Sequence, residues 1–311
     1  MKHIAFTIDE KFVRFCAVTM ASILEHNEPS DVMFHVVSDG ISQTACDILS
    51  QLAARKGAFI AFYTVPAEAM KGYSIRWEGK RLSMVVFYRC ILASLLPESV
   101  SKVLYLDCDI LVLDNIDELW NTDISGKALA AVPDSFIVNP VHCRRLHYDV
   151  SFNYFNGGVL LLNLDYWREN HIEEKCRIYY QQYPDRVIYN DQDLLNGLLY
   201  DHKLLLDMKW DVQEGAYRIP KGKNVNWKPS YTETILHPSI LHYSSRKPWQ
   251  YHCMHPLRQL FFEYQNLTPW KGENVLNHFI PRLHRFIHLL PYTLHLKKNK
   301  YLPIDKLGDA M

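Results

Sequence analysis

No stretch of the sequence reaches the ~18 consecutive apolar residues of a membrane-spanning helix, and the opening MKHIAFTIDEKF holds too short an apolar run for a secretory signal. Net charge is also missing. The 34 Lys and Arg balance 34 Asp and Glu, so the global attraction that brings a protein to nucleic acid is not encoded, and no nucleic-acid partner is expected. Cysteine pairing is absent: the seven cysteines are odd in number, form no CxxC, and are spread through a chain too long to need disulfide staples, which points to a reducing compartment. There is no internal repeat and no low-complexity tract. What remains is a chain of 311 residues, 48% hydrophobic, long enough for one large domain or two, and expected to be soluble or peripherally attached in the cytoplasm.

Seven short apolar runs, at 3–8, 33–38, 58–65, 102–106, 128–132, 159–164 and 204–208, read as strands, most of them apolar on both faces. Segments 12–25, 44–56, 83–95 and 191–200 have helical length and spacing, the first with Phe15, Val18 and Ile23 as its core stripe and Asn27 and Pro29 at its end. Strand alternating with helix predicts an α/β domain with a mostly parallel sheet, whose ligands bind beyond the carboxyl ends of the strands.

Four segments carry candidate chemistry. In KVLYLDCDILVLDNI, a core strand runs into Asp107-Cys108-Asp109; two acids one residue apart can aim at one hard cation, though a polar strand end or an Asx turn fits the same pattern. In YFNGGVLLLNLDYW, Asn156-Gly157-Gly158 precedes an apolar strand, so that backbone can approach a ligand and the Asn156 amide can address hydroxyls. In YNDQDLLNG, Asn190 or Asp191 can cap a helix with Asp191, Gln192 and Asp193 in its first turn, where acids suit the helix dipole. In ILHYSSRKPWQ, His242 ends a short apolar strand and is followed by Arg246 and Lys247, an imidazole and two cations that suit a metal also holding phosphate.

Taken in order, LYLDCDILV, YFNGGVLLLNL, NDQDLLNG and LHYSSRKPW resemble glycosyltransferase family 8, the retaining GT-A enzymes that include bacterial lipopolysaccharide glucosyl- and galactosyltransferases and the glycogenins. The resemblance covers roughly residues 3–250, and KPWQYHCMHPLRQLFFEYQNLTPW further resembles the lipopolysaccharide core transferases. It implies a Rossmann-like GT-A domain at 1–250 with a helical, basic extension at 251–311. The implied donor is UDP-glucose or UDP-galactose, and the implied acceptor is a lipopolysaccharide core or related glycolipid or oligosaccharide. A capsule precursor, a protein or the enzyme itself stays open as acceptor, as does a non-catalytic UDP-sugar-binding module. The implied cofactor is Mn²⁺, with Mg²⁺ as the substitute, held by Asp107, Asp109 and His242. Thr7 and Asp9 would contact uridine, Cys108 would offer mainly backbone, Arg89 would meet the donor and Lys247 its diphosphate. Asn156, Gly157, Asp191 and Gln192 would surround the sugar, with Asp191 and Gln192 as the catalytic pair. The chain departs from the family pattern at Ser244 or Ser245, where a glycine is usual, and at Lys11, where a uridine-contacting asparagine is expected.

After residue 250 the composition turns basic and aromatic. Val275, Leu276, Phe279, Leu283, Phe286, Ile287 and Leu290 recur near helical spacing against Arg282, His284, Arg285 and His288, followed by Lys297, Lys298 and Lys300. Pro281 is expected to start this helix and Pro291 to end it. A basic amphipathic helix suits an anionic membrane surface, here residues 275–301, on the inner face of a bacterial cytoplasmic membrane. The extension reads as separable: deleting 274–311 is expected to release the protein from membranes while preserving turnover of a soluble acceptor.

Overall fold

The computed structural model describes residues 1–74, 83–135, 140–219 and 231–302; the last residues of the expected extension, 303–311, lie outside them. In chain order the elements are β1 (Lys2–Thr7), α1 (Val13–His26), β2 (Val32–Ser38), α2 (Gln43–Lys56), β3 (Phe59–Thr64), a 3₁₀ helix (Met84–Ile91), α3 (Leu92–Leu95), β4 (Lys102–Leu106), β5 (Ile110–Val112), α4 (Asp117–Trp120), β6 (Leu129–Pro133) and α5 (Val141–Arg145). There follow β7 (Phe155–Asn163), α6 (Leu164–Glu169), α7 (Ile172–Gln182), α8 (Asn190–Leu199), β8 (Lys203–Leu205), β9 (Val212–Gln213), α9 (Tyr231–Leu236), β10 (Ile240–His242), α10 (Arg258–Gln265) and α11 (Phe279–Thr293).

The main sheet runs β3-β2-β1-β4-β7-β6-β8, parallel except that β7 lies antiparallel to both β4 and β6. Alternate residues of each strand enter opposite cores. In β4, Leu104 and Leu106 pack with α1 and α2, while Val103 and Tyr105 pack with α6, α7 and α8. That two-sided burial explains the nearly continuous apolar runs of the sequence. A smaller sheet, β5-β10-β9, has β10 antiparallel to β5 and parallel to β9.

Helix α1 lies between the sheets and buries two faces. Cys16, Met20 and Ile23 join the core of the main sheet, whereas Val18 and Phe15 join that of the smaller one, so the expected single stripe is divided. Its end follows the sequence: Asn27 donates from Nδ2 to Ile23 O and accepts from Ile116 N, both at 3.0 Å. Segment 83–95, expected as one helix, is a 3₁₀ helix with a short α-helical turn after it. Val85, Val86, Phe87 and Tyr88 are poor α formers because their side chains crowd the preceding turn.

Two further expectations change. Strand β7 begins at Phe155, so Asn156-Gly157-Gly158 lies within it, and Gly158 O accepts from Asp107 N at 2.9 Å. Helix α11 begins at Phe279 and runs to Thr293. Pro281 sits in its first turn, where the missing N–H has no intrahelical partner to lose, and Pro291 stays inside the helix rather than ending it.

Candidate active site

Two backbone registers assemble the acidic cluster. At the carboxyl end of β4 the chain leaves the main sheet and enters β5, carrying Asp107, Cys108 and Asp109 across the gap. Pairing of β5 with β10 sets Ile110 opposite His242, and Tyr243 N donates to Asp109 O at 2.9 Å. Ligand atoms of Asp107, Asp109 and His242 consequently lie within 4.8 Å of one another. Cys108, between the acids, is turned into the core with Cys16.

His242 is held from behind. Its Nδ1 donates to Asp211 at 2.9 Å, leaving Nε2 facing Asp109 Oδ1 at 3.3 Å. Asp211 also accepts from Gln213 Nε2 at 3.0 Å. Burial alone would lower the pKa of His242, but the Asp109 and Asp211 carboxylates outweigh it and push it up to about 10. Burial works the other way on Asp109, where the Lys247 and His242 cations overcome it and hold the carboxyl well below the usual carboxylate range. Lys247 Nζ contacts Asp109 and donates to Tyr243 O at 2.8 Å. Two carboxylates and an imidazole, converging, with the imidazole oriented by a carboxylate, fit a divalent cation of the Mn²⁺ or Mg²⁺ kind. Gly158 preserves the space this needs: a Cβ there would lie 2.3 Å from His242 Cε1.

Arg89 joins this cluster to a third carboxylate, that of Asp191. It is 6% exposed at the end of the 3₁₀ helix. Its Nη2 donates to Asp107 Oδ1 at 2.8 Å, its Nε pairs with Asp191 Oδ2 at 2.9 Å, and its Nη1 meets Gly157 O. The guanidinium lies 4.3 Å from the ring centre of Tyr105, whose hydroxyl donates to Asp107 at 2.7 Å and is 3.1 Å from Thr7 Oγ1. Burial pushes the Asp191 carboxyl up, to about 6, against the pull of Arg89.

The amide side chains form a third group. Asp134 Oδ2 accepts from Asn156 Nδ2 and from Gln192 Nε2, both at 3.0 Å. The other ends are engaged as well: Asn156 Oδ1 accepts from Gly158 N at 2.8 Å, and Gln192 Oε1 accepts from Gly157 N at 2.9 Å. Helix α8 begins after Tyr189, and neither Asn190 nor Asp191 caps it. Asp193, fully buried, accepts from Ile188 N at 2.7 Å and Tyr189 N at 2.5 Å, and takes a two-pronged bond from Arg145. Capping thus falls to Asp193, and Asp191 is left facing Arg89.

The structure joins Thr7, Arg89, Asp107, Asn156, Gly157, Asp191 and Gln192 in one network through Tyr105 and Asp134, and the Asp107, Asp109 and His242 cluster sets beside it a second group of Asp109, His242 and Lys247. Asp9 stands apart, its carboxylate accepting from Lys11 N and Phe12 N at 3.0 and 3.2 Å as the cap of the 3₁₀ turn Glu10–Phe12. Sequence reasoning missed Asp211, Asp134, Tyr105 and Gln213. The acid beside Trp210 in KWDVQ was the sole hint of Asp211, and Tyr105 was indistinguishable from a core residue.

A family model, glycosyl transferase family 8, matches residues 3–253. General stress protein A of Bacillus subtilis is 29% identical over 276 residues, 86% of this chain and 94% of that protein. Lipopolysaccharide 1,2-glucosyltransferase of Escherichia coli is 26% identical over 278 residues, 87% of this chain and 79% of that one. Among solved structures, the galactosyltransferase LgtC with donor and acceptor sugar analogs superposes with a TM-score of 0.74 at 26% identity, over 87% of this chain and 99% of its own. With the acidic cluster at the mouth of a GT-A sheet and a family match over most of its length, the chain belongs to glycosyl transferase family 8 and is a glycosyltransferase.

Proposed function

We propose that this enzyme is a retaining hexosyltransferase that moves glucose or galactose from UDP to a lipopolysaccharide core or related glycolipid. In this reading Asp107, Asp109 and His242 hold Mn²⁺, Thr7 and Asp9 meet uridine, and Arg89 and Lys247 face the diphosphate. Asn156, Gly157, Asp191 and Gln192 surround the sugar. The observation that carries it is the convergence of two carboxylates and an oriented imidazole within 4.8 Å, with Arg89 bridging to Asp191. When bound, the divalent cation supplies Lewis-acid neutralisation of the charge that develops on the departing diphosphate.

The chain's own residues supply the rest. Arg89 and Lys247 add fixed positive charge that needs no reorganisation during reaction. Gln192 is committed at both ends of its amide, so it orients and does not attack. Asp191 is paired with Arg89, and in this reading its carboxylate steadies positive charge on the sugar ring. This favours acceptor attack on the face the diphosphate leaves, with a phosphate oxygen taking the acceptor proton; a trapped glycosyl adduct on Asp191 or Gln192 would refute it.

The site of action in this reading is the inner face of the cytoplasmic membrane. Helix α11 supports it, because Phe279, Ile280, Phe286 and Ile287 are each more than half exposed beside basic residues. No helix among the described residues is long and apolar enough to cross a membrane. Tyr301, the last residue of the expected membrane segment, is turned into the protein.

A panel of UDP-sugars with and without Mn²⁺ tests the donor and metal together. UDP-glucose or UDP-galactose should raise Tm only when Mn²⁺ is present, and the same donor should be consumed with an acceptor. No Tm response to any UDP-sugar would overturn the reading.

A further inference from the structure

The segment after α11 returns to the body of the protein. Lys300 O accepts from Ile219 N and Leu302 N donates to Tyr217 O, both at 2.8 Å, pairing Tyr301 with Arg218 in an isolated antiparallel bridge. Tyr301 is 3% exposed, its ring in the core of the smaller sheet. Its hydroxyl donates to Glu214 Oε1 at 2.6 Å.

Glu214 is fully buried, directly after β9. A buried carboxylate must be satisfied by donors, and this one has three: Tyr301, Arg218 Nη2 at 2.6 Å, and the backbone amide of Arg246 at 2.7 Å. Burial would push its carboxyl up, but these donors outweigh it and hold it below the usual range. Glu214 N in turn donates to Ser244 Oγ at 3.2 Å. The segment 244–246 is therefore gripped through both the backbone and the side chain of Glu214, and the next residue is Lys247, whose ammonium reaches Asp109. Helix α11 holds the far side of the same loop, since Arg285 Nη1 donates to Tyr251 O at 2.7 Å and to Cys253 O at 2.8 Å.

We propose that Tyr301 is a positioning residue for donor binding: its hydroxyl fixes Glu214, Glu214 fixes Ser244 to Arg246, and that grip aims Lys247 at the donor diphosphate. The inference rests on the reading that Lys247 meets the diphosphate. It makes the C-terminal segment part of the donor site, against the expectation that 274–311 can be deleted with turnover preserved.

The test uses the full chain and calorimetry with UDP and Mn²⁺. Tyr301→Phe keeps the ring and removes the hydroxyl, and should weaken UDP binding to the Mn²⁺-loaded protein about tenfold, the usual weight of a hydrogen bond to a charged group. Binding of Mn²⁺ without UDP should stay within twofold, a separation that general damage to the fold would not produce. In a Lys247→Met background the further loss from Tyr301→Phe should disappear, because the hydroxyl acts through that ammonium. If Tyr301→Phe does not fold, Ser244→Ala removes the other hold of Glu214 on the loop, the bond from Glu214 N, and should show a loss of UDP binding and the same dependence on Lys247. Unchanged UDP affinity in the variant, or a loss that persists in the Lys247→Met background, overturns the inference and leaves the proposed function standing. Absence of UDP binding by the unmodified chain overturns both.

Discussion

Asp211 accepts the Nδ1 proton of His242 at 2.9 Å, and this single bond decides which nitrogen of the imidazole faces Asp109. Residues that hold a ligand histidine in this way commonly change metal affinity 10- to 100-fold when altered. Asp211→Asn keeps the shape but offers a donor where an acceptor is needed. Mn²⁺ affinity, followed by calorimetry, should fall by about that factor while the circular dichroism spectrum is retained; unchanged affinity would show that Asp211 is only structural.

Asp109 is the acid of the cluster that touches His242 and Lys247 together. Asp109→Asn preserves its volume and removes its charge. Transfer should drop on the order of 10³-fold, in keeping with the several kcal/mol a metal contributes to leaving-group departure, and Mn²⁺-dependent UDP binding should vanish. Retention of either, in a folded variant, counts against the site.

Gly158 and Gly157 give a graded pair. An added Cβ at Gly158 would lie 2.3 Å from His242 Cε1, whereas at Gly157 the nearest atom is Arg89 Nη1 at 3.3 Å. Gly158→Ala should displace the imidazole and cost about 1 to 3 kcal/mol of stability, as overpacking does, with Mn²⁺ binding lost. Gly157→Ala should be the milder change in both measurements. The reverse order would mean that the space at Gly158 does not serve His242.

Away from the site, His35 sits between His3 Nδ1 at 2.9 Å and the Tyr63 hydroxyl at 3.0 Å. Burial, with the neighbouring His3, lowers its pKa from 6.5 to about 4. Between those values the unfolded chain takes up a proton that the folded chain refuses. The stability contributed by neutral His35 is therefore complete above pH 6.5 and is lost as pH falls toward 4, by about 3 kcal/mol at most. Urea unfolding of the wild type and His35→Gln at pH 7.5 and 4.5 should show a smaller pH-dependent loss in the variant; equal losses would refute the assignment.

Point changes on α11 test membrane attachment without disturbing Tyr301. Phe279 is 77% and Phe286 62% exposed, so replacing either removes little packing. Phe286→Ser should reduce partitioning onto vesicles containing anionic phospholipid about tenfold, the weight of one buried aromatic side chain, with turnover of a soluble acceptor retained. Undiminished binding to the vesicles by Phe279→Ser/Phe286→Ser would remove this face as the anchor.

Much of the main sheet was legible because its strands are buried on both faces, which leaves apolar runs such as VLYL and VLLLN with little ambiguity. Less legible was anything set by pairing between distant strands. The position of Asn156 to Gly158 inside β7 depends on bonds to β4 and β6, and local composition set the segment ahead of the strand. Capping by Asp193 in place of Asn190 or Asp191 depends on Arg145 and on the path of 188–189, which no spacing rule contains.

By itself the sequence determined the α/β alternation, the acids at the end of β4, the histidine at the end of β10 and the basic amphipathic helix, because each follows from short-range periodicity and residue chemistry. Tertiary structure alone decided that Arg89 joins Asp107 to Asp191, that Asp211 orients His242, and that Tyr301 closes on Glu214. Those contacts link residues between 18 and 102 positions apart through or around buried charges. A buried charge needs a partner, but only the folded register of two sheets determines which residue arrives to meet it.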